Sequence, residues 1–330
     1  MTAFFDRFWS QVLVSGFAIL FACGSALADE AMEIVSSDGS FVPVSEMAGS
    51  GFSGSPGRQE PGARADADSE YPASTLTPEE RAELRKLRSP VPYYLRNAKA
   101  GAVAESVIGQ DARQRIYPLE SGFPERAIGE ITFTQGGSAF ICTGWLINAN
   151  TVATAAHCVH GGPGRAFSTN VRFFPGRNAA SNPFGSCSAT SLFVPALWVT
   201  GGADVNDYGA FKLNCNVGNT TGSFGIHNLP AINGLSVAIT GYPGDKPSGT
   251  SWSGSGDVAS SAAQKVFYRI DTAGGQSGSP VFEPDRVGAG CVGVCALGIH
   301  AYGVSGGNNS GTRINATVLA FLNSAKAATP

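Results

Sequence analysis

Thr151-Val152-Ala153-Thr154-Ala155-Ala156-His157-Cys158 sets a β-branched and small apolar run directly before a histidine and a cysteine. Such a run predicts a buried strand that delivers His157 at its end. Further along, Asn206-Asp207-Tyr208-Gly209-Ala210 offers a carboxylate at a strand opening, and Gly274-Gly275-Gln276-Ser277-Gly278-Ser279-Pro280 offers a serine in a glycine-rich loop. A serine hydroxyl is a poor nucleophile at neutral pH. It needs a histidine to take its proton and a carboxylate to fix the histidine's tautomer and stabilise the imidazolium. His157, Asp207 and Ser277 fill these roles, which predicts a hydrolytic enzyme.

Candidate strands recur around these residues at 127–134, 139–146, 151–156, 171–174, 208–213, 236–240, 266–270, 279–282 and 297–301. One convincing helix follows at 316–326. Short strands separated by Gly and Asn turns predict an all-β barrel or sandwich. Bases only slightly exceed acids from 106 onward, without a basic patch, so nucleic acid is not an expected partner.

The 330-residue chain opens differently. Arg7, the apolar run 12–23 and Ala26-Leu27-Ala28 read as a secretory signal peptide over 1–28. A lipoprotein signal at Cys23 is disfavoured by the bulky Phe21. No later stretch reaches the roughly 20 apolar residues of a membrane span, so no membrane is expected either. Residues 29–105 are rich in Gly, Ser, Pro and charge and read as a largely disordered pro-segment. One short helix is predicted at 78–88, with Thr77 as N-cap, Glu80 closing a capping box and Ser89-Pro90 ending it.

Of seven cysteines, six remain once Cys23 leaves with the signal peptide. An even set in an exported chain reads as a disulfide framework. Six cysteines allow fifteen pairings, and sequence alone does not choose among them. Context suggests Cys142 with Cys158 and Cys291 with Cys295, which leaves Cys187 with Cys215. A metal site would need clustered Cys and His, so none is expected. No cofactor is expected; scattered acidic residues give no support for structural Ca2+.

Ser106-Val107-Ile108-Gly109, Thr143-Gly144-Trp145, the stretch ending at His157 and Cys158, Pro175-Gly176-Arg177-Asn178, Tyr208-Gly209-Ala210, the run from Gly241 to Lys246, the Ser277 loop and Gly298-Ile299-His300 together resemble the secreted bacterial glutamyl endopeptidases. The resemblance covers 106–330. It implies two six-stranded antiparallel β-barrels of chymotrypsin type side by side, with the site in the cleft between them. The first barrel (106–220) would carry His157 and Asp207; the second (221–330, with the C-terminal helix) would carry Ser277 and the S1 pocket.

It also implies that Thr272 and His300 bind a substrate carboxylate, and that maturation after Glu105 frees an amine at Ser106 that lends positive charge near S1. The backbone N–H groups of Gly275 and Ser277 would form the oxyanion hole. Asp271 supports the competing reading, a trypsin-like pocket for Arg or Lys. Gln276 stands where trypsin-like zymogens carry the aspartate that salt-bridges the freed N-terminus, so that switch is absent.

Other placements are weaker. Asp204 competes with Asp207 but lies in a turn context, and Ser279 lacks the placement of Ser277. His160 is expected at the surface and His227 in a structural role. Ser277, Asp285 and His300 follow the order of an α/β-hydrolase, but Ser279 stands where that elbow needs glycine. A non-catalytic protease homologue that only binds partners would be marked by a lost triad member, and none is lost. The sequence thus predicts a monomeric secreted serine endopeptidase, exported beyond the cell or to a periplasm. Its partners would be polypeptide substrates and its own pro-segment.

Overall fold

The strands predicted around His157 form a closed sheet in the computed structural model, which describes residues 33–39, 41–42, 51–57, 106–303 and 307–329. In chain order, β1 (Ile34–Ser36), β2 (Phe41–Val42), β3 (Gly51–Phe52) and β4 (Gln114–Ile116) come first. β5 (Ile128–Gln135), β6 (Ser138–Leu146), β7 (Thr151–Thr154), β8 (Thr169–Pro175), β9 (Cys187–Pro195) and β10 (Gly209–Leu213) follow, and β10 pairs with both β7 and β9 to close a six-stranded antiparallel barrel. After β11 (Gly225–His227), a second barrel is built from β12 (Ser236–Gly241), β13 (Ser251–Ser261), β14 (Lys265–Tyr268), β15 (Pro280–Arg286), β16 (Gly293–Gly303) and β17 (Asn309–Arg313). β15 pairs with β12 and β16, which closes it. Antiparallel closure excludes the parallel sheet that the Ser277, Asp285, His300 order would have needed.

Closure buries β7 and β10 at every position, and aromatic rings carry the packing from one barrel to the other. Trp145 of the first barrel meets Phe224 edge-on at 5.3 Å, and Phe224 meets Phe282 of the second at 5.3 Å. Each such ring pair adds about 0.5–1.5 kcal/mol to the burial of the rings themselves. The C-terminal helix Ala316–Ala327 is capped by Asn315, whose side chain accepts from Val318 N–H at 3.0 Å. Although it follows the second barrel in sequence, it packs against the first: Phe321 meets Tyr208 edge-on at 5.0 Å, and Lys212 Nζ donates to Lys326 O at 2.8 Å.

Cys142 of β6 is bonded to Cys158, Cys187 of β9 to Cys215, and Cys291 to Cys295. The signal-peptide and 78–88 helix readings lie outside the described residues. The reading of 29–105 as largely disordered missed β1, β2 and β3, which complete edges of sheets built by sequence far downstream. His160 is also corrected. It is buried, its Nδ1 accepts from Gly162 N–H at 3.1 Å, and its ring stands edge-on to Phe167 at 4.7 Å, because the loop after the histidine turn folds back under Trp198.

Candidate active site

β7 ends at Thr154, and a single helical turn, Ala156–Val159, follows it and carries His157. The Cys142–Cys158 disulfide ties this turn to β6. Asp207 is reached from the other side, at the end of the turn Asp204–Asn206 and two residues before β10. His157 Nδ1 lies 2.7 Å from Asp207 Oδ2, and the His157 backbone N–H donates to Asp207 Oδ1 at 2.9 Å. Tyr302 Oη also donates to Asp207 Oδ2, and Thr312 Oγ1 donates to Asp207 O at 3.1 Å. Burial pushes the Asp207 carboxyl up, but the charge and hydrogen bonds of His157 and the Tyr302 hydroxyl bring it below its ordinary value. Asp207 is therefore ionised at neutral pH. Asp204 instead pairs with Lys265 Nζ at 3.1 Å.

With Nδ1 on Asp207, the second ring nitrogen of His157 is buried and has no hydrogen-bond partner among the described residues. Ser277 lies in the loop between β14 and β15, and first-barrel residue Thr143 grips that loop. Thr143 N–H donates to Ser277 O at 2.9 Å and Thr143 Oγ1 to Gly275 O at 2.9 Å. Second-barrel backbone completes the hold, with Gly278 N–H on His300 O at 2.7 Å and His300 N–H on Ser279 O at 2.8 Å. Gly275 and Gly278 have φ of +102° and +88°. A Cβ at Gly278 would stand 2.2 Å from Thr143 O, so no other residue fits this crossing of two backbones.

The residue before Ser277 has a different partner from the one a zymogen aspartate would have. Gln276 Oε1 accepts from Ala273 N–H at 3.0 Å and from Arg113 Nη1 at 3.2 Å. Arg113 is buried and also holds Asp111 and Asp245 at 2.9 and 2.5 Å. Burial works against its charge, but the two carboxylates outweigh burial and hold the guanidinium protonated. The segment that begins at Ser106 is thus tied to the serine loop through Arg113.

Asp271 is engaged by the same segment. Its Oδ1 accepts from Ile108 N–H at 2.6 Å and its Oδ2 from Ala112 N–H at 2.8 Å. Ser106 N–H donates to Asn309 Oδ1 at 3.0 Å; Ser106 O accepts from Asn309 Nδ2 at 2.6 Å and from Thr272 N–H at 3.3 Å. Ser106 therefore lies against Thr272, whose buried hydroxyl has no hydrogen-bond partner among the described residues. His300, on β16, is fully buried with Nδ1 2.6 Å from Tyr268 Oη. Burial first, then the neighbouring charges of His157 and Lys265, push its pKa down to about 3, so it is neutral at neutral pH.

Sequence reasoning missed Tyr302, Thr143, Arg113 and Asn309. Tyr302 stands two residues after His300 on one strand, but the bulge between them breaks the simple alternation by which its placement could have been read. Thr143 and Asn309 had no readable signal, because their partners are distant backbone atoms.

Two closed barrels with a His–Asp pair on one and a glycine-framed serine on the other define the trypsin-like class of peptidases. The family model of the trypsin-like peptidase domain matches residues 142–294. The chain is 44% identical over 224 residues to the glutamyl endopeptidase of Bacillus licheniformis, a match that spans 67% of this chain and 69% of the relative. Among solved structures, a Glu endopeptidase in complex with MPD superposes with a TM-score of 0.60 at 32% identity, covering 67% of this chain and 100% of that one. The chain is a serine endopeptidase and belongs to the glutamyl endopeptidase family.

A further relative, 40% identical over 214 residues and matched over 63% of this chain and 66% of its own length, is named as an extracellular metalloprotease of Bacillus subtilis. Among the described residues, the clustered ligand-type side chains do not fit a metal in that role. The described group of ligand-type side chains is Cys142, His157 and Cys158, but both sulfurs are joined in a disulfide and His157 Nδ1 is held by Asp207.

Proposed function

We propose that this chain is a secreted endopeptidase that cleaves polypeptides after glutamate. Ser277 Oγ attacks the scissile carbonyl while His157 takes its proton through Nε2. The developing oxyanion is held by the backbone N–H groups of Gly275 and Ser277. His157 then passes the proton to the leaving amine, and the acyl-enzyme is hydrolysed by water activated through the same nitrogen. Asp207, ionised and held by Tyr302, fixes the histidine's tautomer and stabilises the imidazolium.

The observation that carries the specificity is the engagement of Asp271. A trypsin-like pocket needs a carboxylate facing the substrate cation, whereas both oxygens of Asp271 accept backbone N–H groups of Ile108 and Ala112. Thr272 and His300 are uncharged donors, suited to a substrate carboxylate. His300 Nδ1 lies 2.6 Å from Tyr268 Oη, which orients the imidazole within the pocket. Cutting after Glu105 would add the amine of Ser106 beside Thr272, with a reference pKa of about 7.7–8.0.

Secretion is supported by the signal-like residues 1–28 and by the name of the Bacillus subtilis relative. No helix among the described residues is long and apolar enough to cross a membrane. Digestion of a denatured protein of known sequence, with product termini read by mass spectrometry, tests the reading. Cuts mainly after Glu, and less after Asp, are expected. Cuts mainly after Arg and Lys would place Asp271 at the pocket floor.

A further inference from the structure

Two sheet edges are closed by chain that precedes Ser106. In the first barrel β8 pairs only with the opening of β9, at Cys187 and Ser188, so β9 continues to Pro195 with one edge open. β1 takes that edge, with Ile34, Val35 and Ser36 opposite Pro195, Val194 and Phe193. Flanking bonds extend the pairing: Ala196 N–H donates to Glu33 O at 2.8 Å, Ser37 N–H to Leu192 O at 2.9 Å, and Leu192 N–H to Ser37 Oγ at 3.1 Å. Ile34 is fully buried within the main apolar core.

In the second barrel β11 runs parallel to β16, and β3 takes its outer edge, with Phe52 opposite Ile226 and Gly51 opposite His227. Beyond β3, Ser55 and Ser223 exchange N–H···O bonds at 2.8 and 2.7 Å. The fit is backbone against backbone. A Cβ at Gly54 would stand 2.2 Å from Ser223 O, and one at Gly51 2.0 Å from Ile226 O. Arg126 adds a clasp, with Nη2 on Pro56 O at 2.6 Å and Nε on Thr221 O at 3.0 Å. Lys326 Nζ sits 3.2 Å from the centre of the Phe52 ring.

An open strand edge invites another strand, and strand addition gives affinity through main-chain bonds. None of the partners named above is a triad or S1 residue, and a cut before Ser106 breaks none of these bonds. We propose that residues 33–39 and 51–57 form a strand donor that closes an edge on each barrel and stays bound as a noncovalent partner of the mature protease after the link to Ser106 is cut. The partner is thus this part of the enzyme's own released pro-segment, which braces the barrels through residues outside the triad and the S1 pocket. The inference rests on processing before Ser106.

Two measurements test it. In the full-length Ser277→Ala chain, which stays uncut, the amides of Ser37, Ser55, Ala196 and Ser223 should exchange hydrogen at least about 100-fold more slowly than free peptide. Exchange at free-peptide rates overturns the docking. Active enzyme is then added, the product is gel-filtered under native conditions, and the protease peak is denatured for mass spectrometry. Peptides covering β1 and β3, whole or cut after Glu46, should co-elute with the chain that starts at Ser106, and Gly54→Val should lower their recovery about tenfold or more. A folded, active Ser106-started chain that elutes without them overturns the proposal. A mature N-terminus elsewhere, read by N-terminal sequencing, defeats the processing reading instead, and the exchange measurement still decides the docking.

Discussion

The first barrel meets the cleft with charge and the second meets it with neutral groups. On the first, Asp207 is buried yet kept ionised, because His157 and Tyr302 outweigh the cost of removing its carboxylate from water. On the second, Thr272, Tyr268 and His300 are uncharged, and the carboxylate of Asp271 is satisfied by backbone N–H groups. A buried charge needs fixed partners, whereas an uncharged pocket can wait for the charge a substrate brings. The general base and its carboxylate thus sit on the first barrel, while the second carries both the nucleophile Ser277 and, in the proposed reading, residue choice. A change at the neutral pocket residues should leave the readout of the nucleophile standing.

The largest break expected on the chemical side comes from Ser277→Ala. Activity should fall by about four to six orders of magnitude, and labelling by a fluorophosphonate should vanish. Persistent labelling would place the nucleophile elsewhere. Next comes the clamp on the histidine turn. Replacing Cys142 and Cys158 together by alanine should cost about 2–5 kcal/mol of stability, measured by denaturant unfolding under oxidising conditions. Tyr302→Phe should act more mildly. It leaves the buried Asp207 carboxylate one donor short, and a lost bond to a charged group is worth about 1.5–3 kcal/mol. kcat should fall about tenfold or more while KM for a glutamyl peptide changes little. A rise in KM alone would place Tyr302 in recognition.

The smallest effect separates the buried histidines from Asp207 by pH. The folded His300 is pushed down from an ordinary value of 6.5, so as pH falls below about 6.5 the unfolded chain takes up a proton that the folded chain refuses. Stability should therefore decline from about pH 6.5 towards pH 3, with His160 and His227, also pushed down by burial, adding in the same sense. The pull on Asp207 runs through a lower window, below its ordinary 3.8, where protonation removes a stabilising charge. His300→Gln should flatten the upper slope and leave the lower one. An unchanged upper slope would refute a neutral, buried His300.

The legibility of this fold follows the side chains. β5, β6, β7 and β10 alternate or run apolar and could be read directly, and His157, Asp207 and Ser277 stood out by their neighbours. β13 was missed, because Ser251–Ser261 is mostly serine and glycine and becomes a strand only between β12 and β14. β17, with sequence Asn-Ser-Gly-Thr-Arg, was missed for the same reason. The partners of Asp271 could not be read either. They are main-chain N–H groups about 160 residues away, carried by no particular residue type.

The separation of chemistry from recognition is tested most directly in one preparation of His300→Ala. Active sites are counted with a fluorophosphonate, and kcat/KM is measured for matched peptides with Glu or Gln before the cut. Labelling should be retained, while the preference for Glu over Gln falls about tenfold to a hundredfold, because the variant removes a donor to the substrate carboxylate and leaves the nucleophile intact. Equal loss of both substrates together with loss of labelling, or an unchanged preference for Glu, would contradict the assignment of recognition to the second barrel's neutral pocket.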